Sequence, residues 1–545
     1  MCQVVALRSG ITNLTLNYKN GIISTTFIYA MANFTIIGGI SLNKVVNRRN
    51  LCFIFIFLFY AFLMWCSPYS NDDYDFLSLK FGCFSDLMSF ILEYGNGRFL
   101  GNLSSVVMVH FPLLSIVLRA MMISTIIGLI PYLLGFRSTF AYLASFILLT
   151  VLDPVLFGQV YLWSSGFYNY IPPVWMALVA IALIQKYPSC TSGFVRYAVC
   201  GILVMLGFCG QLYVEHSTII NLIIAASLLI HVSVMRKHQL LLPSLLWFLS
   251  VLAGTIVMFA IPVLFAPKGN RSEGYRSYNF GTISSLIVSC VKNGMWLTNY
   301  YSGINSLPIC LGSIATLYLT RCRRSRRRNE ILLIILVICG GVLLFSDFTS
   351  TNYWYGEPAL LHHVLLTLFV LTEFVIWIIA VFKIDDSVIR YRVFYLLFLA
   401  FMSLAPLLIV SPMHMRVAFQ SYLFFSAAAM LCISVINWNN IQLIHLRTVA
   451  ATIVSICMAF NIVSTMVSVK IMSEIREAYI LHKIEQNASE ITIFGIPYDY
   501  IQWDGTWSFG YYFYRENKDD TVFTVINYDY WKNYYLPEFL DAISE

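Results

Sequence analysis

The stretch LCFIFIFLFYAFLMWCSPYSNDDYDF, residues 51–76, decides the fold class of this chain. From Leu51 to Cys66 it holds no charged or amide side chain, and a helix needs about 20 such apolar residues to cross the hydrocarbon core of a bilayer. Ser67 and Pro68 end the run. Three carboxylates then follow within four residues, at Asp72, Asp73 and Asp75. An apolar span that opens straight into a cluster of acids is the pattern of a membrane protein with chemistry at one surface.

The same pattern recurs along the chain. Candidate spans are 51–67, 106–135, 139–157, 172–185, 197–214, 217–234, 241–264, 303–320, 331–346, 360–381, 393–410, 418–436 and 448–468. The second is long and carries Arg119, which blurs its ends. Hydrophobic residues make up 59% of the 545 residues and charged ones only 11%, against about 25% charged in soluble domains. That balance excludes a soluble protein with a large core. The expected fold is an all-α polytopic transmembrane bundle of about thirteen helices, with a small mixed exterior domain at the C-terminus. Three regions result: 1–50, a cytoplasmic segment or (through 21–41) an extra helix; 51–468, the transmembrane domain with its loops; and 469–545, the exterior tail, with strand-like runs at Ile491–Phe494 and Thr521–Ile526.

The basic residues alternate between loops. One set holds Lys44, Arg48 and Arg49; Arg137; Lys186 and Arg196; Arg236 and Lys237; the run Arg321–Arg328; Lys383, Arg390 and Arg392; and Arg447. The positive-inside rule places this set in the cytoplasm. The run Arg321–Arg328 is then an anchor against translocation, and no nucleic-acid partner is expected. Most of the 13 cysteines, such as Cys200, Cys209, Cys432 and Cys457, sit in apolar runs as small hydrophobes, and no zinc-type spacing occurs.

The polar residues gather on the opposite side, in 68–105, 158–171, 214–217, 265–302, 347–359, 411–417 and 469–545. Asp72, Asp73 and Asp75 repel one another, so one or more should have a raised pKa and serve as a general base or metal ligand. Asn96, between glycines, suggests a tight turn aiming Arg98, whose planar fork suits phosphate or carboxylate. Trp163, Tyr168, Asn169 and Tyr170 offer ring faces and amide groups that suit a sugar, though aromatic residues also line membrane interfaces. Glu215 and His216 sit at the mouth of an apolar bundle, where such groups are costly; Glu215 suits a metal or a sugar hydroxyl. Lys268, Arg271 and Arg276 form a candidate phosphate clamp, and Arg416 adds a further base. Lipid headgroups would attract the same cations.

Taken together, the chain resembles the GT-C superfamily of membrane glycosyltransferases. The motifs are Asp72-Asp73-Tyr74, Asn96-Gly97-Arg98, Trp163 with Gly166, Asn169, Tyr170 and Pro172, then Glu215, then Pro267 with Gly269, Asn270 and Arg271, and late Trp531, Asn533 and Tyr535. It looks most like bacterial and phage-encoded O-antigen-modifying glucosyltransferases, which confer serotype. The resemblance implies an undecaprenyl-phosphate-glucose donor, a lipid-linked O-antigen acceptor of lipopolysaccharide, and a bacterial inner-membrane location with a periplasmic active site. It also puts the chemistry on Asp73 or Asp72, with Asp73 preferred. The leaving polyprenyl phosphate needs charge stabilisation and no general acid, so one base and a basic clamp suffice, with inversion at the sugar carbon. This requires no cofactor, and the carboxylates could equally hold a divalent metal. Rival readings are an O-antigen polymerase or ligase and a polytopic transporter or flippase.

Overall fold

The computed structural model describes residues 48–79, 83–93, 97–260, 277–278, 282–320, 335, 360–411, 414–436, 441–486, 488–498, 501–502 and 522–526. Residues 21–41, the run Arg321–Arg328, nearly all of the span 331–346 and the tail motif Trp531–Tyr535 lie outside these.

The order of helices is α1 Arg48–Cys66, α2 Asp72–Ser78, α3 Phe84–Glu93, α4 Phe99–Val109, α5 Pro112–Leu134, α6 Thr139–Thr150, α7 Pro154–Phe157 (which runs on as a π-helical turn, Gly158–Leu162), α8 Ser164–Lys186, α9 Gly193–Cys209, α10 Glu215–Val234, α11 His238–Phe259, α12 Ile283–Thr320, α13 Leu360–Phe382, α14 Ser387–Leu404, α15 Phe419–Val435 and α16 Ile441–Glu485. Two short sheets accompany them. Ser277–Tyr278 pairs antiparallel with Val410–Ser411, and Glu490–Phe494 pairs in parallel with Val522–Ile526. The two strand-like runs of the tail are therefore strands, and they pair with each other.

Among the described residues, seven helices are long and apolar enough to cross a membrane, or eight if the bent pair α6 and α7 is one span. Shorter apolar helices, including Asn50–Cys66 and Gly193–Cys209, occupy further expected spans. The chain is a polytopic α-helical membrane protein. A 23-residue helix such as α5 rises about 35 Å, enough for the roughly 30 Å core. The 45-residue α16 is about twice that length, so it stands well clear of the bilayer. Lys470 lies 5.4 Å from the ring of Trp65 at the end of α1, a pairing typical of the interface. The helix passes unbroken through the expected boundary at 468/469.

Three local expectations are corrected. The span 106–135 is two helices, because Pro112 starts α5 at a position where its missing N–H costs nothing. The span 139–157 is bent by 97° after Thr150. The exterior loop 158–171 is helical, a π turn followed by the first turns of α8.

The bend buries helix ends in apolar surroundings, where carbonyls must find donors inside the protein. The Tyr422 hydroxyl shares its one proton between Leu148 O at 2.7 Å and Val151 O at 2.9 Å. Tyr161 donates to Leu149 O at 3.0 Å, and Tyr60 bonds to Thr150 Oγ1 at 2.9 Å. The rings of Phe59, Tyr60, Phe146, Phe157, Tyr161 and Phe419 pack edge to face around these bonds. This aromatic plug fixes the bend and hence the direction in which the chain enters the site.

Candidate functional site

Three of the segments that the charge alternation places on one side converge on a single cavity. It encloses about 400 Å³ of empty space, part of it open to solvent. Asp72 and Phe76 come from α2, Arg98 and Asn102 from the start of α4, and Arg416 from the turn before α15. Trp163, Ser165, Gly166, Asn169 and Tyr170 come from the start of α8.

The wall is built around a break at Trp163. The preceding turn ends there, leaving unpaired carbonyls, and α8 begins there, leaving unpaired N–H groups. Buried Arg119 donates through Nη2 to Tyr161 O at 2.6 Å and to Leu162 O. Fully buried Asp73 accepts from Ser164 N at 3.2 Å, Ser165 N at 2.9 Å, Ser165 Oγ at 2.5 Å and Ser70 N at 3.3 Å. A cation thus sits at the carboxyl end of one helix and an anion at the amino end of the next, the arrangement both dipoles favour. Burial pushes the Asp73 carboxyl up to about 6, although the Ser165 hydrogen bonds and the Arg119 charge pull it down. It is still mostly ionised at neutral pH.

Asp72, one residue earlier, points differently. It is exposed and lines the cavity. Partial desolvation raises its pKa above the ordinary carboxylate value, the Arg416 charge lowers it, and Asp75 raises it. The raised pKa expected for the acid cluster is present, but burial rather than mutual repulsion is its first cause. Asn71 precedes it with φ 44° and ψ −120°, a positive-φ conformation that costs a residue with a side chain more than it costs glycine.

The two cavity arginines are held differently. Gly97, at φ 83°, supplies the turn, and Arg98 then pairs with Glu215: Nη2 to Oε2 at 3.0 Å and Nε to Oε1 at 3.2 Å. Glu215, assigned from sequence to a sugar hydroxyl or metal, is therefore the carboxylate partner of Arg98. Arg416 donates from Nε to Tyr170 Oη at 3.2 Å and lies over the Trp163 ring at 5.0 Å. Trp163 Nε1 donates to Ser70 O at 3.0 Å. Gly166 is required by space, since a Cβ there would come within 2.0 Å of Gln159 O and 2.5 Å of the Trp163 ring.

Of the residues expected to bind sugar, Trp163, Asn169 and Tyr170 line the cavity. Asn169 donates to Ser165 O at 2.8 Å, while its buried Oδ1 makes no hydrogen bond among the described residues. Tyr168 is buried, its hydroxyl 3.0 Å from Ser115 Oγ, and is not in the lining. His216 is buried beside the Tyr170 ring at 5.5 Å between centroids. Asn96, Lys268, Arg271 and Arg276 lie outside the described residues. Phe76, Asn102 and Ser165 were missed. Asn102 carried a signal, because it stands four residues after Arg98 on one helical face. Among the described residues no three His, Cys, Asp or Glu side chains gather as a metal site.

The chain is thus an α-helical membrane protein whose helix ends form one polar, aromatic-walled cavity. No protein-family model, no curated protein and no solved structure matches it.

Proposed function

We propose that this protein is a membrane glycosyltransferase of GT-C type. It would move a hexose, glucose in the reading followed here, from a polyprenyl-phosphate donor to lipid-linked O-antigen at the periplasmic face of a bacterial inner membrane. The observation that carries the reading is the cavity itself: one accessible carboxylate, Asp72, faces two guanidinium groups, Arg98 and Arg416, across aromatic walls. The faces of Trp163 and Tyr170 suit a pyranose ring.

Asp72 takes the role of general base in place of Asp73, whose oxygens are already engaged. The acceptor hydroxyl gives its proton to Asp72 as its oxygen attacks the sugar carbon. The bond from that carbon to the phosphate oxygen breaks, its electron pair leaves with the polyprenyl phosphate, and Arg98 and Arg416 stabilise the charge. In-line attack inverts the anomeric centre. In the same reading the apolar helices form a bundle of about thirteen spans, and residues 469–545 form a periplasmic domain.

The test is the lipopolysaccharide of a smooth bacterial host that expresses the chain with donor-making and donor-flipping partners. An added hexose that depends on Asp72 is expected. Altered O-antigen chain length without added hexose would support a polymerase or ligase instead. Transport is favoured only by the 97° break between α6 and α7, since broken helices are common in transporters; an unchanged polysaccharide would revive it.

A pH profile tests the pairing of base and clamp. Arg416 stabilises the Asp72 carboxylate, so Arg416→Gln should raise the Asp72 pKa further. The acidic limb of kcat/KM, where protonation stops the base, is expected to move to higher pH in that variant. An unmoved limb would separate Arg416 from Asp72.

A further inference from the structure

The C-terminal segment packs behind the cavity, against the turn that precedes α2. Ile496 and Ile501 join the main hydrophobic core, and Gln502 is fully buried. Its side-chain amide closes a ring of hydrogen bonds on residues 67–70, more than 430 positions away. Ser67 Oγ donates to Gln502 Oε1 at 3.0 Å, and Gln502 Nε2 donates to Ser70 Oγ at 3.1 Å and Pro68 O at 3.3 Å. Gly158 admits this segment at close range, since a Cβ there would come within 2.2 Å of Ile501 O. Outside the core, Tyr74 of α2 clusters with Met472, Tyr479, Ile491 and Phe494, and Arg476 Nη1 donates to Phe494 O at 3.1 Å.

The turn that Gln502 grips is the turn that sets the site. Ser70 O receives the Trp163 indole, Ser70 N donates to Asp73, and Asp72 follows two residues later. Ser67 Oγ also lies 3.0 Å from Leu162 O, at the break itself, so its one proton is shared between that carbonyl and Gln502 Oε1. A glutamine suits this place because it offers an acceptor to Ser67 and two donors to Pro68 O and Ser70 Oγ. Alanine offers neither, and glutamate keeps only the acceptor.

We infer that residues 496–498 and 501–502 belong to a strap that braces the phosphate-binding cavity from behind, with Gln502 the positioning residue that holds the 67–70 turn and, through it, Trp163 and Asp72. The inference rests on the proposed function for its ligand but not for its geometry, and the experiment separates the two. Full-length protein in nanodiscs would be compared with Gln502→Ala, Gln502→Glu and Gly158→Ala by hydrogen exchange and by binding of farnesyl phosphate, an isoprenoid monophosphate. Arg416→Ala serves as the control within the cavity.

Gln502→Ala is expected to speed exchange in 67–73 and 163–166 and to weaken farnesyl phosphate binding at least tenfold, with exchange elsewhere as in wild type. Gln502→Glu is expected to show a smaller change in the same direction, and Gly158→Ala, which displaces the strap by sterics, to resemble Gln502→Ala. Unchanged exchange in 67–73 and 163–166, or faster exchange with unchanged affinity, would overturn the strap. If wild type and Arg416→Ala bind farnesyl phosphate alike, the phosphate reading of the cavity fails, and with it the claim that the strap braces a phosphate site. The exchange data would then still report whether Gln502 holds the turn.

Discussion

Replacing Asp72 by Asn is expected to lower hexose transfer about 10²–10⁴-fold, the usual contribution of a positioned general base, while the protein stays folded. The side chain is exposed at the cavity, so the amide fits the same space. The loss should fall on kcat, because proton removal from the acceptor is what the variant lacks. Donor KM should change little, since Arg98 and Arg416 remain. Turnover in proteoliposomes with a defined polyprenyl-phosphate hexose would measure it. Wild-type turnover by Asp72→Asn would remove Asp72 from the chemistry.

Asp73→Ala is expected to act on the fold. It strips the acceptor from three N–H groups and one hydroxyl in a fully buried place, and each orphaned donor costs about 1–3 kcal/mol. A loss of about 3 kcal/mol or more follows, seen as a lower melting temperature in detergent and poorer recovery of folded protein. Asp73→Asn keeps the shape but turns an amide donor towards donors, so it should also be destabilised. The pH dependence has a definite sign. The folded-state pKa, about 6, lies above the unfolded value of about 3.9, so the folded chain takes up the proton first. Wild type should therefore gain stability over Asp73→Asn as pH falls from 7 towards 4, and lose that gain as pH rises through 6. An Asp73 variant that melts like wild type but cannot transfer sugar would reverse the roles of the two aspartates.

The division between Asp72 and Asp73 shows where a sequence stops being readable. Composition and apolar runs disclosed the helices, and charge alternation grouped the loops that meet at the cavity. Gly97 before Arg98 disclosed a turn, and the β-rich runs in the tail disclosed its two strands. These features are local or additive. Which of two adjacent aspartates is buried depends on where α8 begins, and the donors that α8 supplies lie over 90 residues away. The 158–171 segment reads as an exterior loop because it lies between two apolar spans and mixes aromatic residues with Ser, Gly and Asn, yet Arg119 and Asp73 cap the break and a helix starts there. Arg119 itself reads only as an awkward charge within a span. Gln502 carries no local signal, and Tyr168 differs from Tyr170 only in the direction that helical phase gives it.

The π-helical turn at Gly158–Leu162 has a consequence for how this site tolerates insertion and deletion. Its closing bond runs from Trp163 N to Gly158 O at 2.8 Å, five residues apart, so the turn holds one residue more than an α-helical turn would use. Each residue of an α-helix advances the chain by roughly 100°. Losing one residue from 159–162 would let the turn relax to α-helix with the Trp163 amide still over Gly158 O, so the indole would stay close to Arg416. Losing a second would swing Trp163 by about a quarter-turn, taking the indole from Ser70 and the amides of Ser164 and Ser165 from Asp73. The surplus residue is slack that this turn can give up once, while Gly158 itself is fixed by the close approach of Ile501 O.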